Sequence, residues 1–159
     1  MIVLYKDYKI MSAVFEYTGI DCHVPKDVVS VRFQSSIVNI GNDAFIGCKS
    51  LQSISIPSTV TKIGRYAFAS CESLLEVELN DGLKKIDEYA FEGCNLLQSI
   101  TVPSTIKEIN RGAFNCCRGL SEVVINGGVQ YIKDTTFNNC ISLQSINIPS
   151  SVTEIGKYA

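Results

Sequence analysis

Residues 48–70 read CKSLQSISIPSTVTKIGRYAFAS, and the chain restates that stretch with changes from Cys71, Cys94 and Cys117, then begins it again at Cys140. Each restart falls 23 residues after the last. Phe45, Phe68, Phe91, Phe114 and Phe137 keep the interval, as do Leu51, Leu74, Leu97, Leu120 and Leu143. A fixed period of this length marks a solenoid, in which each unit buries its apolar edge only against its neighbours.

Within one unit two apolar blocks stand out. Ile54-Ser55-Ile56, after Leu51, has the period of two expected of a strand, and Pro57 ends it by removing a ladder donor. The second block, Val60 and Ile63, fits either a second strand or an extended turn. Ala67 to Cys71 is too short for an independent helix and suits a single helical or 3₁₀ turn. The predicted fold is a β-rich solenoid. It has a parallel sheet of about six short strands, starting at Val28, Leu51, Leu74, Leu97, Leu120 and Leu143, with short turns or 3₁₀ segments opposite. At the usual strand spacing that sheet is about 24 Å across. A longer alternation overlies the repeat: IPST, VPST and IPSS follow the strands ending at Ile56, Val102 and Ile148, whereas LNDG and INGG begin at Leu79 and Ile125. The Asn-x-Gly versions permit a left-handed residue where the proline versions fix φ.

The ends depart from the pattern. Residues 1–25 do not repeat; Val14-Phe15-Glu16-Tyr17 alternates like a strand, and the segment is expected to cap the first turn, leaving 26–159 as the array. Met11 is an alternative start to Met1. Val28, Val31 and Phe33 form a degenerate entry strand. At the other end the phenylalanine column calls for a member just beyond Ala159, so the array is expected to be cut inside its last repeat. Val152 and Ile155 would then lack a covering turn. Fraying and self-association through that end are the expected consequences.

Leu51-x-x-Ile54-x-Ile56-Pro57-x-x-Val60-x-x-Ile63-Gly64-x-x-Ala67-Phe68-x-x-Cys71 resembles the BspA-like leucine-rich repeat. The resemblance covers Val28 to Ala159. It implies a parallel β solenoid with a curved sheet, and relatives that often act at cell surfaces by adhering to other proteins. Asp87, Asn110 and Lys133 depart from the pattern in the Gly64 column, and Thr136 departs in the alanine column; each is expected to weaken its own repeat.

Composition narrows the function. The chain has 159 residues, net charge −2 and 46% hydrophobic residues. Its pI is about 5.4 and its mean hydropathy +0.18. There is no basic excess to meet a phosphate backbone, so nucleic acid is not an expected partner. No apolar run approaches the length of a membrane span, and Lys6, Asp7 and Lys9 interrupt any signal-like segment. Cell-surface, extracellular and cytoplasmic locations all stay open. Of seven cysteines, five stand in the repeat column and Cys22 and Cys116 outside it. Close pairs such as C-x-x-C are missing, so buried thiols are expected rather than a metal site, with Cys116 the candidate exposed thiol. His23 beside Cys22 is not a catalytic pair, because nucleophile and base must face each other in space. Neither an enzyme nor a cofactor is expected.

The outward positions of the strands form three columns: Gln52, Leu75, Gln98, Ser121 and Gln144; Ser53, Glu76, Ser99, Glu122 and Ser145; Ser55, Glu78, Thr101, Val124 and Asn147. This is the open face that solenoids use for partners, here small, polar and mildly acidic. Lys62, Arg65, Lys84, Lys85, Lys107 and Arg111 fall on the opposite side and read as solvating charges. Two functions compete: a protein-recognition or adhesion module with a partner of unknown identity, and a structural spacer with no ligand of its own.

Overall fold

The computed structural model describes residues 14–19 and 21–159. The choice between Met1 and Met11, and the cap before Val14, lie outside the described residues. In chain order the strands are β1 (Phe15–Tyr17), β2 (Val31–Phe33), β3 (Asn39–Ile40), β4 (Ser53–Ser55), β5 (Lys62–Ile63), β6 (Glu76–Glu78) and β7 (Lys85–Ile86). Then come β8 (Ser99–Val102), β9 (Glu108–Ile109), β10 (Glu122–Ile125), β11 (Tyr131–Ile132), β12 (Ser145–Asn147) and β13 (Glu154–Ile155). All pairings between them are parallel and step one turn at a time, such as Ile54↔Val77 and Ile63↔Ile86. Among the described residues there is no helix.

Both apolar blocks are strands. The second block makes one unbroken sheet in the order β3-β5-β7-β9-β11-β13. The first block, expected as one sheet, is divided into β1-β2, β4-β6 and β8-β10-β12.

The third side of each turn is built of the short turns expected there, with one further feature. Alternate amides there point up to the next turn instead of back along their own segment. Asp43, Phe45 and Gly47 donate to the carbonyls of Arg65, Ala67 and Ala69 at 2.9, 2.7 and 2.7 Å, whereas Ile46 and Cys48 bond locally to Asp43 and Phe45. Aiming every second amide outward requires left-handed residues at a fixed place. Asp43, Tyr66, Tyr89, Gly112, Thr135 and Tyr158 have φ between 53° and 60°. Gly47, Ser70, Gly93, Cys116 and Asn139 form a second such column. That conformation is strained for residues with a Cβ. The tyrosines hold it because their rings stack: Tyr66 and Tyr89 lie 5.1 Å apart at 10°. The Tyr89 ring lies over Gly112, where a Cβ would meet it, and a side chain there would have to displace the ring. The left-handed glycine expected of the Asn-x-Gly turns occurs at Gly128, φ 137°. Gly82 serves a different need: a Cβ there would meet the Ser58 carbonyl at 2.6 Å.

The core is a set of stacked columns. Phe45, Phe68, Phe91, Phe114 and Phe137 run at centroid steps of 5.0, 5.2, 5.4 and 5.6 Å with planes within 6° of parallel. The strand spacing of about 4.8 Å imposes this geometry, because rings held at one position per turn can only stack. Tyr17 of β1 continues the column below Phe45, 5.1 Å away, and its hydroxyl accepts the Gly41 amide. Burial pushes its phenol pKa up, against the opposing effect of that bond.

The cysteine column is buried and its thiols are engaged. Cys71, Cys94, Cys117 and Cys140 donate to the carbonyls of Phe45, Phe68, Phe91 and Phe114 one turn below, at 3.1 to 3.3 Å. A thiol is small enough for the column and supplies one weak donor to a carbonyl that the ring leaves facing inward. Burial first, and then the neighbouring thiols, push Cys71 up to about 12; burial pushes Cys140 up to about 11. Burial likewise pushes the Cys94 and Cys117 thiols well above the ordinary thiol range.

The departures in the Gly64 column are compensated. Asn42 accepts the Arg65 amide through Oδ1 at 2.9 Å, and a Cβ at Gly64 would lie 2.7 Å from that oxygen. One turn up, Asp87 accepts the equivalent Glu88 amide with its own Oδ1, so no glycine is needed. Thr136 is buried, and its hydroxyl donates to Lys133 at 2.7 Å. Asp87 thus exchanges one acceptor for another, while Thr136 finds a partner for its hydroxyl.

Candidate functional site

The strands carry ten of the fifteen candidate face residues in two rows, and the other five lie just before them. Ser53 pairs with Glu76 and Ser55 with Glu78; Ser99, Glu122 and Ser145 form one row, and Thr101, Val124 and Asn147 the next. Gln52, Leu75, Gln98 and Gln144 line the approach to the strands and are exposed, as are the others apart from half-buried Ser121 and Val124. The alternation that exposes them buries Ile54, Ile100 and Val123 beneath.

Two features of this face were not expected. First, its carboxylates have no cationic partner: none of the ion pairs among the described residues includes Glu76, Glu78 or Glu122. Glu78 is held only by Ser55, whose hydroxyl donates to it at 2.7 Å. Second, the ladder opens between β6 and β8. The amides of Leu75, Ser121 and Gln144 each donate to the carbonyl one turn below, on Gln52, Gln98 and Ser121, at 2.8 to 2.9 Å. The matching step from Gln98 to Leu75 carries no bond among the described residues. A groove of about 370 Å³ lies there, lined by Glu76, Val77, Glu78, Leu79, Ser99, Ile100 and Thr101. Because the 23-residue interval is constant, spacing gave no warning of the opening. The one local signal is Leu75 in a column otherwise of Gln and Ser.

The opposite side differs from its solvating reading. Lys62 and Lys85 both reach Asp87, at 3.3 and 3.4 Å, and Lys133 reaches Glu108 at 3.5 Å. For Asp87 burial alone would raise the pKa, but the Glu88 amide and the two ammonium groups outweigh it and hold the carboxyl below its usual range. Arg65 lies 5.0 Å over the Tyr66 ring and pairs with Glu88 at 3.6 Å. The tyrosine recurrence at positions 66 and 89 was the available signal for this cluster. Cys116 is half-buried, with the Asn139 amide nitrogen 3.7 Å from its sulfur; His23 is exposed. Among the described residues no three His, Cys, Asp or Glu side chains are grouped to hold a metal, and no helix is long and apolar enough to cross a membrane.

The BspA type leucine rich repeat region matches this chain in six copies across residues 38–159. The chain belongs to that family. Among solved structures it is similar to a leucine rich cell surface protein from Faecalibacterium prausnitzii, with 33% identity and a TM-score of 0.76, over 82% of this chain and 35% of that one. A leucine rich repeat protein of T. pallidum is 32% identical with a TM-score of 0.60, covering 81% of this chain and 72% of the other. One from Eubacterium ventriosum is 28% identical with a TM-score of 0.73, covering 87% and 38%. The leucine-rich repeat chain thus spans little more than a third of the length of the first and third of these. Among curated proteins nothing matches it. The family and its fold are generally non-catalytic.

Proposed function

We propose that this BspA-type chain is a non-catalytic protein-recognition or adhesion module that meets its partner with the open face of the first-block strands, at a cell surface. The observation that carries the reading is the difference in charge pairing. Among the described residues the strand face presents Glu76, Glu78 and Glu122 without cations, while on the second-block side Lys62 and Lys85 reach Asp87 and Lys133 reaches Glu108. Unpaired carboxylates on an exposed face are electrostatically complementary to a cationic partner surface. The described neighbour from F. prausnitzii, a cell surface protein, supports the location. The test replaces Glu76, Glu78 and Glu122 with serine and, separately, Lys62 and Lys85. Loss of a defined captured protein with the first variant only supports recognition. The same captured set with both variants favours a structural spacer.

The proposal includes two statements about the ends. Residues 1–25 form a capping segment and 26–159 the array, since Tyr17 closes the base of the phenylalanine column; Tyr17→Ala should therefore lower the melting temperature as a column phenylalanine does. At the last turn Ile155 is 56% exposed and Tyr158 80%, an apolar surface suited to self-association. Light scattering across a concentration series tests this, and a strict monomer removes it.

A further inference from the structure

The geometry points to the opening between β6 and β8 as an anchor site for a single arginine side chain of a protein partner. It rests on the recognition reading of the strand face and adds where on that face, and by what chemistry, a partner is held.

The size of the opening selects the kind of occupant. Inserting a strand between β6 and β8 would need two ladder steps, about 9.6 Å. Cα atoms of the two strands still lie within 8 Å of each other. A backbone therefore does not fit between them, whereas a groove of about 370 Å³ accepts one long side chain. The lining selects its charge and shape. Glu76 and Glu78 contribute two exposed carboxylates, and Ser99 and Thr101 border the same groove. Leu75 keeps a carbonyl whose counterparts on Gln52, Gln98 and Ser121 each accept an amide from the turn above. Carboxylates and a carbonyl are acceptors. A guanidinium, planar and carrying five donors in a fixed fork, can pair with a carboxylate bidentately and still donate elsewhere, whereas an ammonium is a compact charge with three donors. Val77 and Leu79 are half-buried in the lining and give the methylene stem an apolar wall. Among the described residues no lysine or arginine pairs with Glu76 or Glu78.

The probe is a blocked pentapeptide, Gly-Ser-Arg-Ser-Gly, compared with its citrulline counterpart, which keeps the shape and removes the charge. Amide NMR of the intact chain follows both. Arginine should produce saturable shifts confined to residues 76–79 and 98–101, citrulline should not, and added salt should weaken them. E76Q/E78Q, which keeps both side-chain lengths at exposed positions, should lower the affinity about tenfold. Glu108→Gln on the other sheet should leave it unchanged. Absent shifts, equal shifts with citrulline, or shifts untouched by E76Q/E78Q overturn the anchor. Binding that persists while the serine triple variant still captures the same proteins leaves the anchor standing and removes the broader recognition reading. Loss of capture without peptide binding does the reverse.

Discussion

The two strand sides of this solenoid are built from the same repeat and differ in closure. The second-block strands are only two residues long, yet they pair through six turns without a gap. Several of the charges on that side are paired, Lys62 and Lys85 with Asp87 and Lys133 with Glu108. The first-block strands are longer, three or four residues, but their sheet is in three pieces and its carboxylates stand unpaired. Pairing that persists in the shorter strands shows that the ladder is fixed by the columns beneath it rather than by strand length. The side that leaves hydrogen bonds and charges unsatisfied is the side able to gain from a partner.

The largest expected effect separates core from face. Phe91→Ala removes a ring stacked on both sides and should cost about 3–5 kcal/mol, whereas Glu122→Ala should stay within about 0.5 kcal/mol. Thermal melts measure both; comparable midpoints would break the assignment of inner and outer positions.

The thiol column gives a pH-dependent effect. In the unfolded chain the thiols ionise around 9, while Cys140 and Cys71 hold their protons to about 11 and about 12 when folded. Above pH 9 the unfolded state therefore binds fewer protons, so stability is complete below that pH and falls as pH rises toward those values. Each thiol contributes about 1.4 kcal/mol per pH unit in that window. Cys71→Ser should flatten the alkaline limb of a denaturation series by one such step, and an unchanged slope would contradict the buried column. Under native conditions near neutrality Cys116 should label first with a thiol reagent. Rapid labelling of Cys71, Cys94 and Cys117 would contradict their burial.

A smaller effect sharpens the contrast between the sheets. Asp87→Asn breaks two ion pairs at once, each partly exposed, and should cost about 1 kcal/mol or less, with a dependence on salt. Glu76→Gln, lacking an internal cation, should show no such salt dependence of stability. A matching dependence at both would erase the difference in charge pairing.

Much of this was legible because a repeat reports burial many times over. The leucine, phenylalanine and cysteine columns each marked an inward position, and alternation about Ile54 and its equivalents then marked the two strand columns of outward residues. The short turns of the third side were legible too, but sequence cannot show where each amide there points. Five residues from Ala67 to Cys71 read as a short turn, and only the structure shows that alternate amides bond upward. Asp87 looked like damage to a glycine column because its function is to accept its neighbour's amide. The opening beside Leu75 involves no insertion, and the missing bond belongs to backbone atoms that every residue carries.

Amide hydrogen exchange at four equivalent positions tests the open side most directly. Leu75, Gln98, Ser121 and Gln144 occupy one column, and only Gln98 lacks the bond to the turn below. The account predicts that the Gln98 amide exchanges far faster than those of Leu75 and Ser121, while Ile86 and Ile109 on the second sheet stay protected. Protection of Gln98 equal to that of Leu75 and Ser121 would mean that the ladder is closed, and the contrast between the two sides would fall with it.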